Sequence, residues 1–270
     1  MQASRWSKFV YYFFPLRRKI VRDNLRLAFG GGLSGNELKN LAQRFYGHMG
    51  MILLENLHTC WLNEREISRL VRIEGEEIVR KAADRKKGVL LLTGHFGNWE
   101  ITPVGAALQF EMFKGRFHVV RKLLANKVFE KILFRRFYKS GLKVIPKKNA
   151  LSHVIEALEN NDVVAFIMDQ YARPDKDGIA VDFFGQKTGT YKSLALIARE
   201  TGAPVVPTLC YRESYGRHVM KFYEPLPWVE DADADEEIHK NTLAYNQMLE
   251  TMIRERPEQW LWCHRRWKTK

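Results

Sequence analysis

Two residues five apart, His95 and Glu100, carry the clearest chemistry in this chain, inside the stretch Gly88 to Glu100, GVLLLTGHFGNWE. An imidazole with a carboxylate close enough to fix its tautomer is the minimum equipment for general-base catalysis. The apolar run Val89 to Leu92 is too short for a helix and is bounded by glycines, so it reads as a fully buried strand. Asn98 suits an N-cap, and Glu100 falls in the first turn of the helix that follows, where negative charge is favoured. The pair therefore sits on a strand-to-helix turn at the C-terminal edge of a sheet, where open α/β folds place their sites. The competing structural reading is a satisfied histidine beside an ordinary helix-start glutamate.

Other residues suited to chemistry also fall at strand ends. Arg121 closes the strand candidate HVVR, close to the sheet edge that carries His95. Asp169 and Gln170 follow the apolar run VVAFIM, where a carboxylate could orient an arginine or the acceptor, or could simply cap a loop. The chain contains no GxSxG elbow, HExxH or P-loop. Gly30 to Gly35 matches GxGxxG, but it follows a charged helical stretch and not a buried strand. It reads as a helix stop, after which Ser34 and Glu37 form a capping box.

GHFGNWE resembles the His-x4-Asp/Glu signature of the lysophospholipid acyltransferase superfamily, and more narrowly that of the bacterial lipid A biosynthesis acyltransferases, the lauroyl and myristoyl transferases. Further landmarks agree in order: Arg121, Asn126, Arg136, Asp169-Gln170, Phe183-Phe184-Gly185, and PEQWLWCHRRWK from Pro257 to Lys268. The resemblance implies a catalytic His95 and Glu100. It implies substrate-binding or oxyanion roles for Arg121, Asn98, Asn126, Arg136, Asp169 and Gln170. Where the family commonly has prolines after the first arginine and the asparagine, this chain has Lys122 and Lys127. The implied donor is an acyl carrier protein thioester, with a coenzyme A thioester as the alternative, and the implied acceptor is an anionic glycolipid. Neither a cofactor nor a metal is implied.

Composition agrees with a folded soluble or peripheral protein: 46% of residues are hydrophobic and 28% charged. The net charge of +13 attracts anionic surfaces. Three separated cysteines, Cys60, Cys210 and Cys263, fit a reducing compartment, and their spacing offers no zinc site. No stretch reaches transmembrane length, and no signal peptide is present. Because the resembled family usually has an N-terminal membrane span, the expected location is the cytoplasmic face of the bacterial inner membrane, held peripherally or by an anchor missing from this sequence.

Residues 1–29 read as a basic, aromatic, membrane-associating segment, with seven cations against Asp23, interleaved with Trp6, Phe9 and Tyr11 to Phe14, or equally as a helix packed on the domain by its rings. A nucleic-acid arm is the rival reading, disfavoured by the dense aromatics, and no nucleic-acid partner is expected. Residues 30–270 form the remaining domain. Twelve Lys or Arg against Glu130 alone crowd residues 114–148, either a docking face for anionic partners or a solvated helix surface. Strands are expected at 88–93, 117–121, 143–145, 163–168, 204–208 and 218–222, and helices at 99–109, 126–139, 149–160, 190–201 and 236–255. Strands alternating with helices predict an α/β fold, a largely parallel central sheet flanked by helices, with a helical N-terminal segment.

The sequence thus favours transfer of a fatty acyl chain to a hydroxyl of a lipid A precursor by general-base catalysis. A second reading keeps the fold and changes the acceptor to a phospholipid, a phosphatidylinositol mannoside or an amino-lipid. A third, a non-catalytic basic surface-binding protein, gives no reason for His95 and Glu100 at a strand end.

Overall fold

The computed structural model describes residues 2–14, 16–121, 134–148 and 150–268. Three helices open the chain: α1 (Arg5–Phe13), α2 (Arg18–Phe29) and α3 (Gly35–His58). Ser34 caps α3, and Ser34 and Glu37 satisfy each other's backbone amides as a capping box. Then follow α4 (Glu64–Arg69), β1 (Val71–Glu74), α5 (Glu76–Ala83), β2 (Val89–Thr93), α6 (Thr102–Ala107) and β3 (Phe117–Arg121). The chain continues through α7 (Arg135–Lys139), β4 (Lys143–Pro146), α8 (Ala150–Glu159), β5 (Val163–Ile167), β6 (Gly178–Phe183) and β7 (Gln186–Tyr191). It closes with α9 (Ser193–Thr201), β8 (Val205–Ser214), β9 (Arg217–Phe222) and α10 (Ala234–Glu255).

Seven strands make one sheet in the order β1-β9-β8-β2-β5-β3-β4, parallel throughout except at β8–β9. β2 occupies the middle, paired with β5 on one side and β8 on the other. Its residues alternate between two apolar layers. Leu90 and Leu92 pack with Val164, Phe166, Leu209 and the α3 and α10 side of the protein. Val89 and Leu91 pack with Val163, Val206, Val104 and Phe110 on the α4–α6 side. Burial on both faces is why these strands read as unbroken apolar runs. Val10, Tyr11, Val21 and Leu25 of α1 and α2 belong to the first layer, so the N-terminal helices share the main core.

Several boundaries differ from the sequence expectation. The helix expected over 99–109 is regular only from Thr102 to Ala107. The helix expected over 190–201 starts only at Ser193, because Gly189 and Thr190 lie in β7, paired with Ala180 and Ile179 of β6. Phe184 and Gly185 both have positive φ, 53° and 68°, which is the two-residue geometry that joins a tight hairpin. Of the helix expected over 126–139, the structure describes only the end.

Candidate active site

β2 delivers His95 two residues beyond Thr93, and β5 delivers Asp169 two residues beyond Ile167. Thr93 and Ile167 are direct partners in the parallel ladder, so the two side chains emerge side by side. His95 Nδ1 lies 2.9 Å from Asp169 Oδ1, while the His95 backbone N–H donates to Asp169 Oδ2 at 2.7 Å. Trp260 Nε1 donates to the same oxygen at 2.8 Å. The Asp169 side chain is 2% exposed. Gly94 is required here, since a Cβ on it would come within 2.9 Å of Asp169 Oδ2.

This arrangement assigns the tautomer. An ionised carboxylate only accepts, so Nδ1 carries the proton and Nε2 keeps the basic lone pair. Burial pushes the His95 imidazole down, but the charge and hydrogen bonds of Asp169, with Glu100 adding to them, outweigh it and raise its pKa above 6.5. Burial likewise opposes ionisation of Asp169, yet His95 and Trp260 hold its carboxyl below the usual range. The sequence expectation that Glu100 orients His95 is therefore corrected: the carboxylate bonded to the ring is Asp169. Glu100 stands at the rim of the same cavity, exposed by area. The surrounding protein pushes its carboxyl up, partly offset by Arg121 and His95.

The cavity holds about 230 Å³ and is walled mainly by hydrocarbon. Its floor is the sheet face carrying Leu91, Val119 and Ala165, and α6 covers it with Pro103, Ala106 and Ala107. Phe117, Phe137 and Leu142 line it as well. Its lining on β3 runs from Phe117 to Arg121, about 13 Å at ~3.3 Å per residue. His95, Glu100 and Arg121 are the polar groups at the sheet-edge end. The Arg121 guanidinium lies 3.5 Å from the centre of the Phe134 ring. The space exists because small side chains, Ala106, Ala107 and Ala165, stand where larger ones would fill it.

Other expected site residues are placed differently. Asn98 is fully buried and outside the cavity; its Oδ1 accepts the Glu100 and Ile101 amides, and its Nδ2 donates to Glu55 Oε2 at 3.0 Å. Arg136 donates to Thr59 Oγ1 at 2.8 Å, and neither it nor Gln170 lines the cavity. Asn126 lies outside the described residues. Arg266, in the PEQWLWCHRRWK ending, is buried at 0% exposure, donating to Gly189 O and Thr190 Oγ1 and lying over the Phe183 ring. The role of Asp169 towards His95 escaped the sequence reading. Each residue follows a buried strand, but the register that pairs the two strands comes only from the structure.

Three backbone amides of the turn are already engaged. The His95 N–H serves Asp169, that of Phe96 donates to Gly94 O, and that of Gly97 to Gln259 O. Of the groups expected to stabilise an oxyanion, Arg121 is the one among the described residues whose side chain lines the cavity.

A carboxylate-bound histidine opening on an apolar chamber at the edge of a mainly parallel sheet defines an enzyme that works on an acyl chain. The chain belongs to the bacterial lipid A biosynthesis acyltransferase family, whose model matches residues 3–269, and is an O-acyltransferase. It is similar to the lipid A biosynthesis lauroyltransferase of Escherichia coli, 28% identical over 268 residues covering 98% of this chain and 83% of that protein. The palmitoleoyltransferase of lipid A biosynthesis from the same species is 26% identical over 260 residues, 96% of this chain and 81% of that protein. A shorter match, 29% identical over 165 residues, covers 57% of this chain and 49% of a phosphatidylinositol mannoside acyltransferase of Mycobacterium tuberculosis.

Proposed function

We propose that this protein transfers a fatty acyl chain from an acyl carrier protein thioester to a hydroxyl of a lipid A precursor, with His95 as general base. The observation that carries the reading is the Nδ1-protonated His95 on Asp169 at the end of an apolar cavity. The chain occupies the cavity with its carbonyl near His95. Nε2 takes the hydroxyl proton as that oxygen attacks the carbonyl carbon. The oxyanion forms beside Arg121, the C–S bond breaks, and the imidazolium returns its proton to the leaving sulfur. Asp169 holds the ring, and Glu100 at the rim favours the imidazolium. A positioned base of this kind contributes roughly 10² to 10⁴ in rate.

The test is transfer from acyl carrier protein by the parent, His95→Ala and Glu100→Ala. Loss of product in His95→Ala supports the reading, and parent-like turnover in that variant refutes it. The partial match to a phosphatidylinositol mannoside acyltransferase favours one second acceptor, to be offered in parallel.

The N-terminal helices suit the surface on which such an acceptor resides. Phe9, Phe13, Phe14 and Leu16 are 47–69% exposed. Beside them a cleft of about 380 Å³ is lined by Tyr11, Tyr12, Arg18, Arg22, Arg26 and Lys39, without an acid. Exposed rings next to cations suit an anionic membrane face, and the proposed localisation is at that face, held by these helices or by an anchor outside this sequence. Among the described residues no helix is long and apolar enough to cross a membrane.

A further inference from the structure

The turn that carries His95 and Glu100 rests on a buried ionic cluster for which the chemistry above has no use. Glu55 projects from α3, 2% exposed, and accepts Arg212 from two directions: Nε to Oε1 at 2.6 Å and Nη2 to Oε2 at 2.9 Å. Gly216 N–H donates to Oε1 at 3.3 Å, and Asn98 Nδ2 to Oε2 at 3.0 Å. Arg212 also donates to His48 Nδ1 at 2.6 Å, and its backbone is paired both ways with the Gln259 carboxamide. Asn98 lies inside the HFGNWE turn. Glu55 is thereby the one carboxylate that reaches the turn from the helical layer among the described residues.

We propose that Glu55 is a positioning residue: clamped by Arg212, it fixes which way round the Asn98 carboxamide sits, and so where Glu100 is held relative to His95. A carboxylate has no proton to give, so the end of Asn98 facing it must be the NH2 group. The carboxamide oxygen is then turned to the amides of Glu100 and Ile101, at 3.3 and 3.2 Å. This matters because α6 becomes regular only at Thr102. Glu100 precedes the helical ladder, and its N–H is held by Asn98 in place of a helix carbonyl. Gly97, at φ 55° and packed against Cys210 O, leaves the turn little other freedom. Arg212 both satisfies Glu55 and keeps it ionised: burial raises the Glu55 carboxyl, and the guanidinium more than reverses it.

The proposal rests on His95 as the base, and the experiment separates the two ideas. Glu55→Gln, Asn98→Asp and the double variant are compared for lauroyl transfer from acyl carrier protein, with His95→Ala as the reference. A group displaced by an ångström loses up to ~10²-fold, so Glu55→Gln is expected to lower kcat by ~10- to 100-fold while KM changes little. Asn98→Asp sets two carboxylates face to face and also loses activity. The double variant restores the pairing between positions 55 and 98, with the carboxylate introduced at position 98 accepting from the Glu100 amide and from the carboxamide NH2 introduced at position 55, but it leaves Arg212 Nη2 facing that NH2. It regains part of the kcat lost in Asn98→Asp. A purely stabilising ion pair predicts no such recovery in kcat.

Independently of any substrate, NMR titration of His95 should move to lower pH in Glu55→Gln, as in Glu100→Gln. Among the described residues, the charged and titratable groups around that ring are Asp169, Glu100 and His264, with Arg121 beyond Glu100 and Arg266 beyond Asp169. Parent-like kcat and titration in Glu55→Gln overturn the proposal. A double variant no better than Asn98→Asp overturns it too, since the contact between positions 55 and 98 is restored there. If the parent transfers nothing, the reading of function fails and the titration alone decides on Glu55.

Discussion

Asp169→Asn tests the catalytic geometry most directly. Three donors converge on this carboxylate: the His95 amide, His95 Nδ1–H and Trp260 Nε1–H. Asparagine offers one oxygen in place of two, so at least one buried donor faces an NH2 group. A buried unsatisfied donor costs about 1–3 kcal/mol. For a domain of this size that lowers Tm by about 2–4 °C per kcal/mol, leaving a folded protein to assay. Turnover suffers more. If the new NH2 faces Nδ1, the ring proton moves to Nε2 and the lone pair no longer points at the substrate. Losing the carboxylate behind a catalytic imidazole costs up to ~10⁴ where the tautomer is wrong, so kcat should fall by ~10² to 10⁴. The pH profile supplies the sign. His95 must be neutral to act as base, and Asp169 raises its pKa above 6.5. The acidic limb of kcat/KM in the parent therefore lies above that value and shifts to lower pH in Asp169→Asn, while the plateau drops. A folded variant with a parent-like plateau and an unmoved limb would refute the assignment of Asp169 to His95.

Other outcomes follow from the same geometry. Ala165→Phe places a ring on the cavity floor between Leu91 and Val119, and should move donor preference towards shorter chains in a competition among acyl thioesters of graded length. His218 is fully buried and its pKa is lowered from 6.5 to about 4, first by burial and then by Arg212, against the pull of Glu55. The unfolded chain takes up that proton first, so stability should fall as pH drops from 6.5 towards 4, by up to about 3 kcal/mol at ~1.4 kcal/mol per unit. His218→Gln should flatten that part of a denaturation profile. Sedimentation with vesicles should show binding to anionic but not to zwitterionic lipid, weakening with salt, and weakened further in Arg22→Glu/Arg26→Glu.

Much of the central sheet was legible because its strands are buried on both faces, so Val89 to Leu92 and Val163 to Met168 stand out as apolar runs closed by polar residues. His95 and Glu100 were legible for the same reason: they follow such a run. What joins β2 to β5 is not written in either segment. Without the register, Asp169 could not be matched to His95, and Glu100, nearer in sequence, took its place in the reading. The β6–β7 hairpin was missed because Thr188 to Thr190 carries turn residues, whereas its actual turn is Phe184-Gly185, with a phenylalanine at positive φ. Asn98 and Arg136 have side chains suited to a ligand, and only packing reveals that they are committed to Glu55 and Thr59.

The turn is also stitched to a distant stretch of chain. Phe96 forms a bridge with Trp260, Leu261 N–H donates to His95 O at 3.2 Å, and Gly97 N–H donates to Gln259 O at 2.9 Å. Because chains fold from the N-terminus as they are made, a ribosome-bound intermediate can form β2 and β5 long before residues 259–261 emerge. Until then Asp169 lacks the Trp260 donor and the histidine loop lacks its outer support. The site, with three donors on Asp169, is therefore complete only once this late segment has docked.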